Sequence, residues 1–310
     1  MNATRIILGT RNSPLALAQT ERVQAALAQA WPKLNLSSQS MTTLGDTQLQ
    51  QSFSQLVQAG HTGVFVKELE QALLTGRIDL AVHSYKDIPS QQPEGLTVCP
   101  VLPRDDARDA LILGPQICEG STLETLPPGA RLGTASTRRQ AMVKRLRPDL
   151  NFIDIRGNIH TRLKKLEAGQ CDALLLAMAG FERMPDFLGL AKPRIVPCCP
   201  VSQLIPAPAQ GQLAVEYRTA DASIIEPLLA PLLPSPAQQI ATQAERAVLT
   251  ALAGGCSVPL GVYLNPQDAT LYGWIQSGQT CYQHQVALDV YAPESAIAEM
   301  IQHLGQTEQP

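Results

Sequence analysis

An excess of basic residues is missing. The 24 Lys and Arg residues face 27 Asp and Glu residues for a net charge of -3, and only 16% of the chain is charged. That excludes a general nucleic-acid binder, whose surface needs a basic field. Long apolar runs are missing too. No segment approaches the roughly 18 uninterrupted apolar residues of a membrane span. Residues 1–14 place Arg5 and Arg11 around the short run Ile6-Ile7-Leu8, too short for a secretory signal core. The expectation is a cytoplasmic protein with neither a membrane nor a nucleic-acid partner. A cysteine framework is also lacking. The seven cysteines are odd in number and show no disulfide-like spacing. No Cys-x-x-Cys or Cys/His cluster points to zinc, so no metal is expected. A lone thiol is by default a small buried hydrophobe. Lysine itself is scarce, 7 residues against 17 arginines. Arginine forks grip carboxylates and phosphates in pairs of hydrogen bonds.

What is present suffices for real cores. The chain has 310 residues, 45% of them hydrophobic, which suggests two or three domains. The first half alternates strand and helix. Arg5 to Leu8 is a short strand, and Ser13-Pro14 starts a helix running to about Ala30, with Ser as N-cap and Pro at the first helical position. Extended residues 34–43, a helix over 66–74 closed by Gly76, and a strand over 79–83 follow. A second series begins after Arg104: strands over 110–113, 131–133, 151–155 and 172–177, with helices over 136–145 and 158–167. This alternation predicts α/β architecture. Residues 191–211 carry five prolines and read as a connection. Ser235-Pro236 opens a long helix that Gly254-Gly255 ends. Stretches at 258–264, 270–276 and 281–291 predict a small antiparallel sheet, and Pro293 opens a last helix.

Leu8-Gly9-Thr10 and Leu132-Gly133-Thr134 echo each other, each before a polar turn and a helix. Two similar lobes would explain the echo. Three strand-to-helix turns carry arginine: Thr10-Arg11-Asn12-Ser13, Ser136-Thr137-Arg138-Arg139, and Arg156-Gly157-Asn158 with Arg162 one turn on. Helix N-termini present unpaired N–H groups and a positive dipole end. Parallel strands would put all three turns at carboxyl ends, where α/β proteins bind ligands. The pattern predicts a polyanionic ligand. Asp87, in His83-Ser84-Tyr85-Lys86-Asp87-Ile88-Pro89, is either a turn cap or a carboxylate facing a cationic intermediate. His83 alone reads as a core histidine. Cys256, in Gly254-Gly255-Cys256-Ser257-Val258-Pro259, sits on a loop free to present its thiol, with no His nearby to act as a base.

These segments, together with Phe65-Val66-Lys67-Glu68-Leu69-Glu70, Arg108-Asp109-Ala110 and Thr161-Arg162-Leu163, resemble the hydroxymethylbilane synthase (porphobilinogen deaminase) family, in the family's order and along essentially the whole chain. The resemblance implies three α/β domains. The first two are lobes like those of periplasmic binding proteins around a cleft, and the third is a small antiparallel sheet with helices. The implied boundaries are 1–103 with 200–220, then 104–199, then 221–310. It implies a monomeric transferase that joins four porphobilinogen molecules head to tail with loss of ammonia. A dipyrromethane cofactor would be bound by a thioether to Cys256. Asp87 matches the family's catalytic aspartate. Arg11, Arg138, Arg139, Arg156, Arg162 and Arg183 match its carboxylate-binding arginines, and Ser13, Lys86, Thr134 and Ser136 match its other cofactor or substrate contacts. A divergent relative acting as a two-lobe anion-binding module is the alternative.

The chain departs from the family pattern at four places. Thr62 stands where Lys is common, Leu44 where a polar residue is common, Ala135 for Ser and Ala209 for Gly. The expected consequence lies in substrate affinity and loop closure, with the attachment and catalytic positions intact.

Overall fold

A computed structural model describes residues 5–41, 66–184, 194–252 and 259–306. The chain forms two compact units, one of residues 1–104 with 212–239, the other of 105–211 with 240–310.

The first unit is built on a five-stranded sheet. Its strands are β1 (Arg5–Arg11), β2 (Asn35–Met41), β3 (Leu80–Ser84), β4 (Leu96–Val101) and, much later in the chain, Leu213–Arg218. β1 pairs in parallel with β2 and β3, whereas Leu213–Arg218 runs antiparallel between β3 and β4. Helix α1 (Pro14–Ala30) covers one face and α2 (Lys67–Leu74) the other. Alternation along β3 shows why both are needed. Leu80 and Val82 join Val23 and Leu27 of α1 in one core. Ala81 joins Leu69 and Leu73 of α2 in another. A strand buried on both faces is the mark of a covered α/β sheet.

The second unit repeats this plan. Its sheet takes β5 (Asp109–Leu113), β6 (Arg131–Gly133), β7 (Asn151–Ile153), β8 (Ala173–Ala177) and β9 (Arg194–Pro197) in the order β7-β6-β8-β5-β9. β6 pairs in parallel with β7 and β8, and β5 runs antiparallel to β8 and β9. Helices α3 (Thr137–Leu146), α4 (Ile159–Glu167) and the one-turn α5 (Ala179–Glu182) follow its strands. The Leu-Gly-Thr echo therefore marks equivalent positions, each in a strand flanked by two parallel neighbours. Its glycine has a packing reason. A Cβ on Gly9 would lie 2.3 Å from Ile78 Cδ1, and one on Gly133 2.6–2.9 Å from Leu174, Ile155 and Cys171.

Residues 191–211, expected to be a connection, contain β9. Its Pro197 faces Ala110 in register. An edge strand tolerates a residue without an N–H, and β9 lies at the sheet's edge. β4, which contains Pro100, is the edge of the first sheet for the same reason. Strand β10 is the Leu213–Arg218 strand, also unforeseen, and α6 (Ala222–Leu229) follows it. The rest of the second unit comprises α7 (Pro236–Leu252) from Ile240 onward, the antiparallel meander β11 (Leu260–Asn265), β12 (Thr270–Ser277) and β13 (Thr280–Ala287), and α8 (Pro293–Leu304). Its fully buried Trp274 packs into the core that also holds Leu111, Leu132 and Ile205. The α/β class and the small antiparallel sheet are as the sequence predicts.

Candidate functional site

In the first unit the expected residues gather at carboxyl ends of parallel strands. Arg11 ends β1, and Ser13 caps α1, its Oγ accepting from the Ala16 N–H at 3.3 Å. The buried Thr10 hydroxyl donates to the Ala16 carbonyl at 3.0 Å and closes the turn. Gln19 reaches from α1 to the end of β3, donating to Ser84 Oγ at 2.8 Å. The single 3-10 turn Tyr85–Asp87 begins there. Its geometry is held by the Tyr85 N–H donating to the Gln212 carbonyl and by the buried Ile88 donating back to Tyr85. The turn leaves Lys86 half-buried and Asp87 exposed. Asp87 is the last residue of that turn.

Beneath this turn lies a buried histidine–glutamate pair. His83 is 5% exposed, its Nε2 3.2 Å from Glu216 Oε2. Burial, reinforced by the Glu216 charge, pushes the carboxyl of nearby Glu70 up to about 7. His83 is thus a partnered core histidine.

In the second unit, Thr134 and Ser136 shape the first turn after β6. Thr134 Oγ1 accepts from the Ser136 N–H at 3.2 Å, and Ser136 Oγ accepts from the Arg139 N–H at 3.4 Å as cap of α3. Asn158 caps α4, accepting from the Thr161 N–H at 2.9 Å. Arg156 donates through Nε to Asp154 at 2.8 Å, and Arg162 through Nε to the Gly157 carbonyl at 2.6 Å. Both arginines are only partly buried.

Three other expected arginines are arranged differently. Arg138 and Arg139, 5% and 6% exposed, both donate to Asp109, which is 1% exposed. Arg138 also donates to the Ile205 carbonyl, and Arg139 to that of Leu175. Gln210 adds a hydrogen bond to Asp109 at 2.9 Å. Burial alone would raise the Asp109 pKa, but the two guanidinium charges and the hydrogen bonds outweigh it and hold the carboxyl far below the usual range. Arg183, also buried, donates to Asp105 and to the Gly211 carbonyl. Asp109 was in a quoted motif without a role. A carboxylate opening the otherwise apolar strand Asp-Ala-Leu-Ile-Leu was its only sequence signal.

Each unit thus presents partly exposed cationic donors suited to carboxylates, Arg11 and Lys86 in the first and Arg156 and Arg162 in the second. They lie at or just beyond the carboxyl ends of β1, β3 and β7, on the parallel side of each sheet. Buried Arg138, Arg139 and Arg183 organise the protein beneath the surface. Cys256 and its Gly-Gly loop lie outside the described residues, as do Thr62 and Leu44. Of the other departures, Ala209 is fully buried in the left-handed region at φ 60°, where glycine would be unstrained. Ala135 follows Thr134 in the turn before α3.

Comparison with known proteins gives the same picture over the whole chain. The model of the porphobilinogen deaminase, dipyromethane cofactor binding domain, matches residues 6–226, and that of the porphobilinogen deaminase C-terminal domain matches residues 239–278. Porphobilinogen deaminase of Chlorobaculum tepidum is 40% identical over 310 residues, covering 97% of this chain and 95% of that relative. The Deinococcus radiodurans protein of the same name is 44% identical over 273 residues, covering 87% and 84%. Among solved structures, the BenM effector binding domain with its effector benzoate is 14% identical with a TM-score of 0.43, covering 73% of this chain and 88% of that one. The periplasmic aliphatic sulphonate binding protein SsuA from Escherichia coli is 13% identical with a TM-score of 0.39, covering 79% and 69%. The motifs, their order and matches running nearly end to end agree: the chain belongs to the porphobilinogen deaminase family.

Proposed function

We propose that this chain is a transferase that condenses four porphobilinogen molecules head to tail, releasing ammonia at each addition, after which one water molecule cleaves the linear tetrapyrrole from its covalent anchor as hydroxymethylbilane. The family supports the reaction. The observation that carries the catalytic assignment is the exposed Asp87 on its turn at the end of β3. Loss of ammonia from the substrate's aminomethyl carbon leaves a cationic, electrophilic methylene-pyrrole. A fixed carboxylate stabilises that charge as it develops and accepts the pyrrole N–H. Lys86, beside it, is assigned a substrate carboxylate.

Each porphobilinogen brings two carboxylates, so the growing chain becomes strongly anionic. Arg11, Arg156 and Arg162 are assigned its acetate and propionate groups, with the Ser13, Thr134 and Ser136 turns positioning the N–H groups around them. Arg138, Arg139 and Arg183 remain assigned to the same ligand set by family resemblance. Their pairing with Asp109 and Asp105 supports a positioning role as well.

The matched cofactor domain binds dipyrromethane, and the carboxylate-binding donors of this chain suit that group. When bound, dipyrromethane supplies the nucleophilic pyrrole carbon on which the polymer grows. Cys256 is assigned its thioether anchor. This explains a thiol after Gly254-Gly255 with no histidine base near it in sequence. Covalent attachment retains the polymer between additions.

The reading extends to a cytoplasmic monomer that binds neither nucleic acid nor membrane. The acidic net charge supports the lack of a nucleic-acid partner, and among the described residues no helix is long and apolar enough to cross a membrane; the monomeric state rests on the family resemblance. The proposed three-domain division is 1–103 with 200–220, 104–199, and 221–310. Three separate sheets support it, while residues 221–239 make their closest contacts within the first unit. A purely anion-binding role is less well supported, because the chain keeps both Asp87 and Cys256.

Intact-mass spectrometry of protein expressed in haem-making cells tests the attachment. The expected result is one added dipyrromethane, mapped to the peptide containing Cys256. A bare Cys256 thiol, or a modification on another cysteine, would overturn the assignment.

A further inference from the structure

The C-terminal sheet carries a cluster that the reaction does not use. His284 lies on the edge strand β13, and Glu299 and His303 lie one turn apart on α8. One ligand atom from each of the three lies within 4.8 Å of the others. We propose that His284, Glu299 and His303 form a surface site for one divalent transition-metal ion of the zinc class, which clamps the last helix to the edge of the third sheet.

The backbone is already set for it. Ala296, Met300 and Leu304 form the buried stripe of α8. Gly273, the register partner of His284, leaves room for the helix to come down. A Cβ there would lie 2.1 Å from Met300 Sδ. Glu299 and His303 each immediately precede a residue of that stripe. They form a neighbouring row at the rim of the helix–sheet contact, four residues apart and on one side.

The hydrogen bonds fix which atoms could bind. His303 Nδ1 is 2.9 Å from the Glu299 carbonyl, which can only accept. Nδ1 therefore carries the proton, and Nε2 keeps its lone pair. A backbone carbonyl holding the non-ligating nitrogen is the usual support of a metal-binding histidine. His284 Nε2 lies 2.8 Å from Glu299 Oε1, so a proton sits between them. A metal ion takes that proton's place. His284 moves its proton to Nδ1 and gives Nε2, Glu299 gives Oε1, His303 gives Nε2, and water completes the shell. The imidazole rings are stacked at 3.8 Å and nearly parallel. They must fan apart by side-chain rotation so that their lone pairs converge, and both rings lie at the surface where this is possible. Two imidazoles and one carboxylate suit zinc, cobalt or nickel better than calcium or magnesium. The sequence concealed the set because His284 and Glu299 are 15 residues apart on different elements.

Titration of chelator-treated full-length protein with cobalt(II) tests the proposal. The expected result is one equivalent bound, with visible d–d bands and no thiolate-to-metal charge-transfer band. Zinc should displace the cobalt and raise the thermal midpoint. The double variant His284→Ala, His303→Ala should lose that equivalent. Glu299→Gln, which keeps the side chain's shape, should weaken binding at least about tenfold. No binding by the parent protein, a thiolate band, or an affinity unchanged in the histidine variant would each overturn the proposal. None of these readouts depends on the proposed reaction.

Discussion

Asp109 Oδ1 accepts from Arg139 through both Nε and Nη2, at 3.0 and 2.7 Å, while Asp109 Oδ2 accepts from Arg138 at 2.7 Å. One buried carboxylate thus holds two buried guanidinium groups. Breaking a buried ion pair leaves an uncompensated charge, which costs about 3–5 kcal/mol. Asp109→Asn should destabilise the protein by that amount, read as a lower urea midpoint in the second unit. The Asp109 pKa is depressed in the folded protein, so its stabilisation is present above its unfolded pKa, 3.8, and is lost only as pH falls through the lower folded value. Acid unfolding of the parent should therefore come late, and that of Asp109→Asn should begin at higher pH.

Arg156 and Arg162 should behave differently from Arg138 and Arg139. They are partly exposed, and the Arg156 partner Asp154 has a side chain that is 53% exposed. Exposed pairs contribute roughly 0–1 kcal/mol. Arg156→Gln should leave the urea midpoint nearly unchanged and raise KM for porphobilinogen. Arg139→Lys, which cannot reproduce the double contact, should lower the midpoint. Equal stability losses in both variants would contradict the division between exposed and buried arginines.

How much of this was legible in the sequence depends on the distance over which each signal acts. The cap Ser13 was visible because a cap is a local device, completed three residues away, whereas Ser136 and Asn158 were read as the first residues of helices they in fact cap. The Leu-Gly-Thr echo was visible, but its physical basis was not, since Gly133 answers to Cys171 and Leu174 far along the chain. β9 was hidden because Pro197 is a breaker everywhere except at an edge, and sequence does not say which strand is the edge. Arg138 and Arg139 are ambiguous in sequence for a related reason. A fork aimed at a ligand and a fork closed on Asp109 look alike, because that carboxylate lies 29 and 30 residues upstream.

Glu70 predicts a slope in stability against pH. Its folded pKa is raised to about 7 from 4.5, mainly by burial. Between those values the folded chain keeps a proton that the unfolded chain has released, so stability falls as pH rises through the window. Glu70→Gln should flatten that slope and add about 1–2 kcal/mol at mildly alkaline pH, a figure reduced for partial solvent screening. Urea melts at several pH values across the window would show a loss of slope in the variant. An unchanged slope would move the effect to another group.

The two echo glycines should differ in tolerance. A Cβ at Gly133 meets three side chains at 2.6–2.9 Å, whereas at Gly9 it meets chiefly one, the far end of the Ile78 side chain. Overpacking of a tight core costs about 1–3 kcal/mol. Gly133→Ala should fall at the upper end and Gly9→Ala at the lower, as read from denaturation midpoints.

Asp87 provides the sharpest separation of activity from stability. Its side chain is exposed, so removing its charge should cost little stability. Asp87→Asn keeps the shape of the side chain and should leave the urea midpoint within about 0.5 kcal/mol of the parent. Its effect should fall on kcat, because a carboxylate that stabilises charge appearing during ammonia loss acts in the transition state more than in the bound substrate. A loss of about 100- to 1000-fold in porphobilinogen consumption is the scale expected for one such electrostatic group. KM should change much less. Asp87→Glu keeps the charge but moves it along a longer side chain, so it should recover part of the rate. If Asp87→Asn instead raised KM at constant kcat, the carboxylate would be holding substrate, and the charge-stabilising role would have to move to another group.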